Sequence, residues 1–275
     1  MTNSEEYETL LDLFIELVQS QAGNKIVPGE GWLNDAQTLS IKLFRHLVSM
    51  HVISTGSTIE HSGVPVVFFI DHASVKVIAR AALETYLVFY YLFGGKDRAL
   101  SKFRHNTWVL GGLIDRQSSY VSIDEHRAVL SSEKKQIEEL KLAISKSDLL
   151  KSFTPNQQGQ LLKGKWRVGN GWADLGVNAG FHKKYFDNIY SYLCGYSHSS
   201  YISAMQVGQA QSIEDQESLT SSILGIGTVI MAHYAFSYSK TFDSAIEVLN
   251  KNTAAKAIAE KWHFGPEDMA AIYDR

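Results

Sequence analysis

The chain has a single cysteine, Cys194, in 275 residues. One thiol excludes an internal disulfide framework and a cysteine-rich zinc module. The opening Met1–Glu8 stretch is acidic and has no apolar core, so no signal peptide is expected and a cytoplasmic setting is. The chain lacks the βαβ alternation of a nucleotide-binding fold, and no hairpin turn, internal repeat or low-complexity linker stands out. Net charge is −3, which argues against a generally basic nucleic-acid binder. At 45% hydrophobic and 11% aromatic, the chain can bury a sizeable core, which excludes wholesale disorder.

Several catalytic motifs are also missing. Gly159 to Lys165 fits the start of a phosphate-binding loop, but Trp166 stands where a magnesium-binding Ser or Thr belongs, and a helix precedes it. Gly195-Tyr-Ser-His-Ser199 falls one residue short of a nucleophile elbow. No His-Glu-x-x-His pair occurs, so no metal site and no cofactor are expected. Arg45/His51 and Arg98/His105 have the spacing of HEPN-type helical ribonucleases. With ten histidines in the chain that spacing arises readily by chance, and helix-flank roles account for these residues.

Charge is present but unevenly placed. Glu5, Glu6, Glu8, Asp12, Glu16, Glu30 and Asp35 make the first segment acidic. Lys151, Lys163, Lys165, Arg167, Lys183 and Lys184 make residues 149–186 basic. Asn188 to Ile213 carries no formal charge, nor does Ser218 to Ser239. Both uncharged runs are rich in Ser and Tyr or Thr, too polar for a lipid-facing helix, so no membrane span is expected. Buried helices lined with hydroxyls are the expectation.

The dominant period is helical. Tyr7, Leu10, Leu11, Phe14, Leu17 and Val18 share a face behind a Ser4 cap, and Ala36 to Met50 gives a second helix. Thr55 to Gly63 reads as a loop, and Val66–Ile70 as an approach to the next helix. Residues 72–93 are apolar nearly all round, as a central bundle helix is, and end at Gly94-Gly95. Ser122 to Glu125 reads as a capping box opening a charged helix with Lys134/Glu138 and Lys135/Glu139 pairs. Thr154-Pro155 starts a short helix. Further helices are expected near 182–196, 200–211 and 216–250, with a tail helix before Pro266. The fold class is all-α, a multi-helix bundle around helix 72–93. The expected parts are an N-terminal helical pair at 1–64, a core at 65–250 and a tail helix at 251–275, packed as one unit.

Two charges, Arg80 and Glu84, sit one turn apart on the central helix in the stripe Val77–Arg80–Glu84–Leu87–Tyr91. Unpaired, they would be costly to bury, so they are expected to bond each other and nearby groups. The uncharged stretch offers Tyr190, Tyr192, Tyr196, Ser197, His198 and Ser199.

Arg80-Ala-Ala-Leu-Glu84-Thr-Tyr86 with its aromatic run, and Tyr190-Ser-Tyr-Leu193-Cys194-Gly-Tyr-Ser-His198, resemble the two signatures of family 5677 of the domains of unknown function. Cys194 stands where that family commonly has Ser. Trp166, Trp172 and Tyr185 fit the family's habit between the signatures. The resemblance spans roughly residues 65–205. It implies an all-helical fold that brings Arg80, Glu84 and His198 together, and it brings no activity with it.

Two readings follow. In one, Arg80, Glu84, Tyr190 and His198 are a satisfied network that locks a non-enzymatic interaction or regulatory module, with a homodimer as one form of it. In the other, His198 is a general acid or base, Glu84 sets its tautomer and Arg80 holds an anion. A metal on Glu84, His198 and His233 is a minor variant. Lys163, Lys165, Trp166, Arg167, Lys183 and Lys184 interleave with Trp172, Phe181 and Tyr185, a pattern suited to RNA or another anionic ligand. That reading gives an RNase-like enzyme, with stress or phage defence as its setting.

Overall fold

The computed structural model describes residues 3–274. The elements are overwhelmingly helical. In chain order they are α1 (Asn3–Gln19), α2 (Asn34–Ser54), β1 (Ser57–His61), β2 (Val64–Phe69), α3 (His72–Phe93), α4 (Arg98–Gln117), α5 (Asp124–Ser145) and α6 (Pro155–Leu162). These are followed by α7 (Trp172–Asn178), α8 (Lys183–Ser197), α9 (Tyr201–Gln209), α10 (Ile213–Thr241), α11 (Asp243–Lys251), α12 (Thr253–Trp262) and α13 (Pro266–Tyr273). The fold is the expected all-α bundle. The chain divides into two compact units, one from the N-terminus to Tyr90 joined by Leu175 onward, the other Tyr91–Asp174.

In the larger unit, α10 is the hub. Its second half is buried on almost every face, from Gly227 to Ser239 with Phe236 half-buried. Leu10, Phe14 and Leu17 of α1, Leu43 and Leu47 of α2, and Phe89 of α3 are buried with it. Phe14 stacks on Tyr234 at 4.0 Å, and Phe89 lies 5.2 Å from the same ring. Buried tyrosine hydroxyls need partners. Tyr7 donates to the Leu47 carbonyl at 2.8 Å and Tyr234 to Ser40 Oγ at 2.7 Å. Tyr86 lies 3.1 Å from Ser237 Oγ. The hydroxyl-rich composition of the uncharged run is therefore what lets α10 be buried. Gly227 admits α1, because a Cβ there would stand 2.7 Å from the Tyr7 ring. By length and composition α10 could cross a membrane, but 61% of its apolar window is buried in the fold, as in a core helix.

The C-terminal helices are tied back by polar contacts. Glu6 accepts from Lys261 at 2.7 and 2.9 Å and from Trp262 Nε1 at 2.7 Å. Asp274 lies 3.1 Å from His182 Nε2 and 3.0 Å from Lys184 Nζ.

The smaller unit packs α4, α5 and α6 around Phe103, Leu110, Ile137, Ile144, Leu150 and Leu161. Asp97 caps α4 through the amides of Ala99 and Leu100. Arg116 pairs with the buried carboxylate of Glu133 across α4 and α5. Thr154 and Gln157 form the capping box of α6.

Several local expectations are corrected. Residues 57–69 form an antiparallel hairpin, with Thr58 opposite Phe68 and Ile59 opposite Val67. The Ser62-Gly63 turn was the signal, with Gly63 at φ +82. It was obscured because neither strand alternates apolar and polar residues. α1 already includes Ser4, so Ser4 is not its cap. α5 starts after Ile123 with no side-chain cap, so Ser122 forms no capping box. Glu138 pairs with Lys141 rather than Lys134. The expected helix 216–250 breaks at Phe242 into α10 and α11.

Candidate functional site

Helix α3 sets His72, Lys76, Arg80 and Glu84 four residues apart, in one row. Helix α8 does the same with Tyr190, Cys194 and His198. The rows meet in two polar layers.

The first layer holds the expected residues. Arg80 Nε donates to Glu84 Oε1 at 3.0 Å, and Tyr190 OH donates to the same oxygen at 2.7 Å. A second guanidinium nitrogen reaches the Tyr190 hydroxyl at 3.4 Å. The third faces His198 Nε2 at 3.2 Å. A guanidinium only donates, so in this contact His198 Nε2 is the acceptor and the ring proton sits on Nδ1. Arg80 therefore sets the tautomer, and the expectation that Glu84 does so is corrected: Glu84 holds Arg80 and Tyr190. The pair is less buried than expected, with side chains 21% and 26% exposed, and His198 is exposed. Partial burial works against the Arg80 charge, but the Tyr190 bond and the Glu84 carboxylate outweigh it and raise the pKa. Burial, then the bond to Glu84, pushes the Tyr190 hydroxyl well up.

Backbone geometry fixes His198. It caps α8, and Ser199 follows at φ +50, a left-handed conformation that favours glycine. The Ser200 amide bonds the Gly195 carbonyl at 2.8 Å and the Ser199 amide bonds that of Tyr196 at 3.3 Å. This is a Schellman closure with serine in the glycine place, and it turns the chain into α9 just beyond the histidine. Ser197 is not part of the layer, since its hydroxyl donates to Leu193 O in its own helix.

The second layer was not anticipated. Arg80 and Glu84 are not the only interior charges of α3, because Lys76 is fully buried. Its ammonium lies 3.0 Å from His72 Nδ1 and 3.0 Å from Tyr196 OH, with its nitrogen 4.3 Å from the Tyr196 ring centroid. Tyr196 in turn donates to Gln206 Oε1 at 2.6 Å, which Tyr192 shares at 3.2 Å. Among the described residues no carboxylate pairs with Lys76, and burial lowers its pKa to about 8. Burial, and then the Lys76 charge, lowers that of His72. The signal was in the sequence, since Lys76 lies one turn before Arg80, but a lone lysine near a helix start reads as a solvated end.

The basic aromatic segment is divided between the two units. Lys163 and Lys165 are exposed in the smaller unit, where Arg167 stands 4.1 Å from the Trp172 ring centroid and 5.3 Å from that of Trp166. Lys183 and Lys184 belong to the larger unit and pair with Asp187 and Asp274 at 2.6 and 3.0 Å. Phe181 is buried against His233 and Tyr185 is half-buried beside Tyr273, so neither offers an open ring to a base. His233 is buried, with Nε2 3.1 Å from the Phe264 carbonyl, and takes no part with Glu84 and His198. Among the described residues no cluster of three or more His, Cys, Asp or Glu could hold a metal. Of the ribonuclease-like spacings, His51 stacks on Tyr7 and pairs with Glu8, and His105 is buried between Phe93 and Trp108.

The fold and site define an all-helical protein with a half-exposed Arg–Glu–Tyr–His layer over a buried lysine layer. The model of a family of unknown function, DUF5677, matches residues 71–216, more than half of the chain and all of both layers. The chain belongs to that family. No curated protein and no solved structure matches it.

Proposed function

We propose that the chain is an RNase-like enzyme acting on RNA or a related phosphodiester at Arg80, Tyr190 and His198. The observation that carries this reading is the exposed His198, whose unprotonated Nε2 is set against a guanidinium anchored by Glu84. An incoming phosphate displaces the Arg80–His198 contact. Arg80 then pairs with its non-bridging oxygens, for which a fork of donors is suited. His198 Nε2 takes the ribose 2′-hydroxyl proton. The 2′-oxygen attacks phosphorus, the bond to the 5′-oxygen breaks, and that oxygen takes the proton. The products are a 2′,3′-cyclic phosphate and a 5′-hydroxyl. Glu84 balances the second positive charge while the imidazolium exists.

The test is cleavage of RNAs of varied sequence and structure. Wild type leaves cyclic phosphate ends, and His198→Ala loses about 10²- to 10⁴-fold in rate, the usual contribution of a positioned base. Equal cleavage by both proteins, or no cleavage by wild type, would sink the proposal. A non-enzymatic interaction module is the second reading, and one observation favours it: the exposed apolar side chains of the β1–β2 hairpin.

A further inference from the structure

The β1–β2 hairpin is anomalous as a finished structure. Isolated two-stranded hairpins are marginal in water, and stability comes with further strands or a packed face. Here all five residues of β1 are exposed. Ile59 is 52%, Val66 65%, Val67 46% and Phe68 47% exposed, so apolar side chains stand in solvent on both faces. The hairpin is held at its base, where the Ile70 amide donates to Gln216 Oε1 at 2.8 Å and Phe68 covers Gly56. Its free end is therefore presented, not loose.

The two edges differ. Pro65 interrupts β2 beside a register shift, and a proline has no amide hydrogen to offer a neighbouring strand. β1, Ser57-Thr-Ile-Glu-His61, has no proline and no lysine to guard it, and among the described residues its outer edge carries no strand.

From this we infer that β1 pairs antiparallel with β1 of a second copy of the chain, about a twofold axis at Ile59, to make a four-stranded sheet. The strand is self-complementary in that register. Ile59 is the middle of five residues, so only a twofold at Ile59 pairs all of them. Ile59 then faces Ile59 of the second copy, Thr58 faces Glu60, and Ser57 faces His61. No like charges stand directly opposite, whereas centring on Glu60 would oppose two carboxylates. Because Ile59 already pairs with Val67, the new register builds a continuous apolar row, Val67–Ile59–Ile59–Val67, across the sheet. A closed isologous contact of this kind stops at two copies, and the proline-broken β2 edges limit further growth.

The test is the solution mass of the full chain at tens of micromolar, with the covalent dimer formed by Ile59→Cys in a Cys194→Ser background. Wild type runs at twice the 30.7 kDa chain mass. Ile59→Lys, which sets two ammonium groups on the axis, runs as a monomer with unchanged far-ultraviolet helical signal. Ile59→Cys cross-links under mild oxidation, and Glu60→Cys, which meets Thr58 rather than itself, cross-links at least tenfold more slowly. A monomeric wild type overturns the inference. So does a dimer that persists in Ile59→Lys, which would lie on another face, or equal cross-linking at positions 59 and 60.

Discussion

Replacing Lys76 by methionine should stabilise this protein at neutral pH, and the gain should fade in alkali. Lys76 is fully buried, with His72 and Tyr196 as hydrogen-bond partners and, among the described residues, no carboxylate paired with it. Its pKa falls from 10.5 to about 8. That difference of about 2.5 units corresponds to about 3 kcal/mol against the folded state at pH 7, at about 1.36 kcal/mol per unit. The sign follows from proton binding. Between pH 8 and 10.5 the unfolded chain holds the proton more tightly, so the Lys76 contribution to stability rises with pH. Methionine removes the charge, keeps the volume and leaves His72 Nδ1 without its donor, a loss of about 1 kcal/mol. The net gain at pH 7 is about 2 kcal/mol. Between pH 7 and pH 9.5 the advantage over wild type shrinks by about 2 kcal/mol. Chemical denaturation of both proteins across that range reads the gap directly, and tyrosine titration cancels in the difference. A methionine variant less stable than wild type at pH 7, or a gap that does not move with pH, would refute the reasoning.

Two further outcomes are expected. Ser199 sits in the left-handed region at φ +50, so Ser199→Gly should raise stability by about 1 kcal/mol, and a fall in denaturation midpoint would contradict the capping geometry. At the acid end, burial first, and then the nearby His263, lowers the His233 pKa from 6.5 to about 3. Its stability contribution is complete above pH 6.5 and is lost as pH falls toward 3. His233→Phe should therefore lose about 3 kcal/mol less than wild type between pH 6.5 and 4, read from thermal melts, and parallel losses would count against this role.

The helical period revealed α1 and α2 because each buries one broad face, and α3 because its long run is apolar nearly all round; 3.6-residue spacing is a local property. Arg80, Glu84, Tyr190 and His198 were legible as a set because Arg80 and Glu84 stand one turn apart in an apolar stripe, and the uncharged run offers Tyr190 and His198 as partners. Their exposure was not legible, since it depends on where α8 ends and how Ser199 turns the chain. The hairpin was missed because both of its faces are exposed, which leaves no alternation to read. Lys76 was missed because a lone lysine near a helix start reads as a solvated end, although it lies one turn before Arg80.

The sequence alone determined that the chain folds as helices and that Arg80 and Glu84 need partners. Those conclusions rest on periodicity and on the cost of burying charge, both written along the chain. Tertiary structure decided which partner each polar group took. It put Arg80, not Glu84, against His198, sealed Lys76 under Tyr196, and divided the basic segment between two units. Such choices are made between residues about a hundred or more positions apart, where local pattern carries no information and only packing assigns the contact.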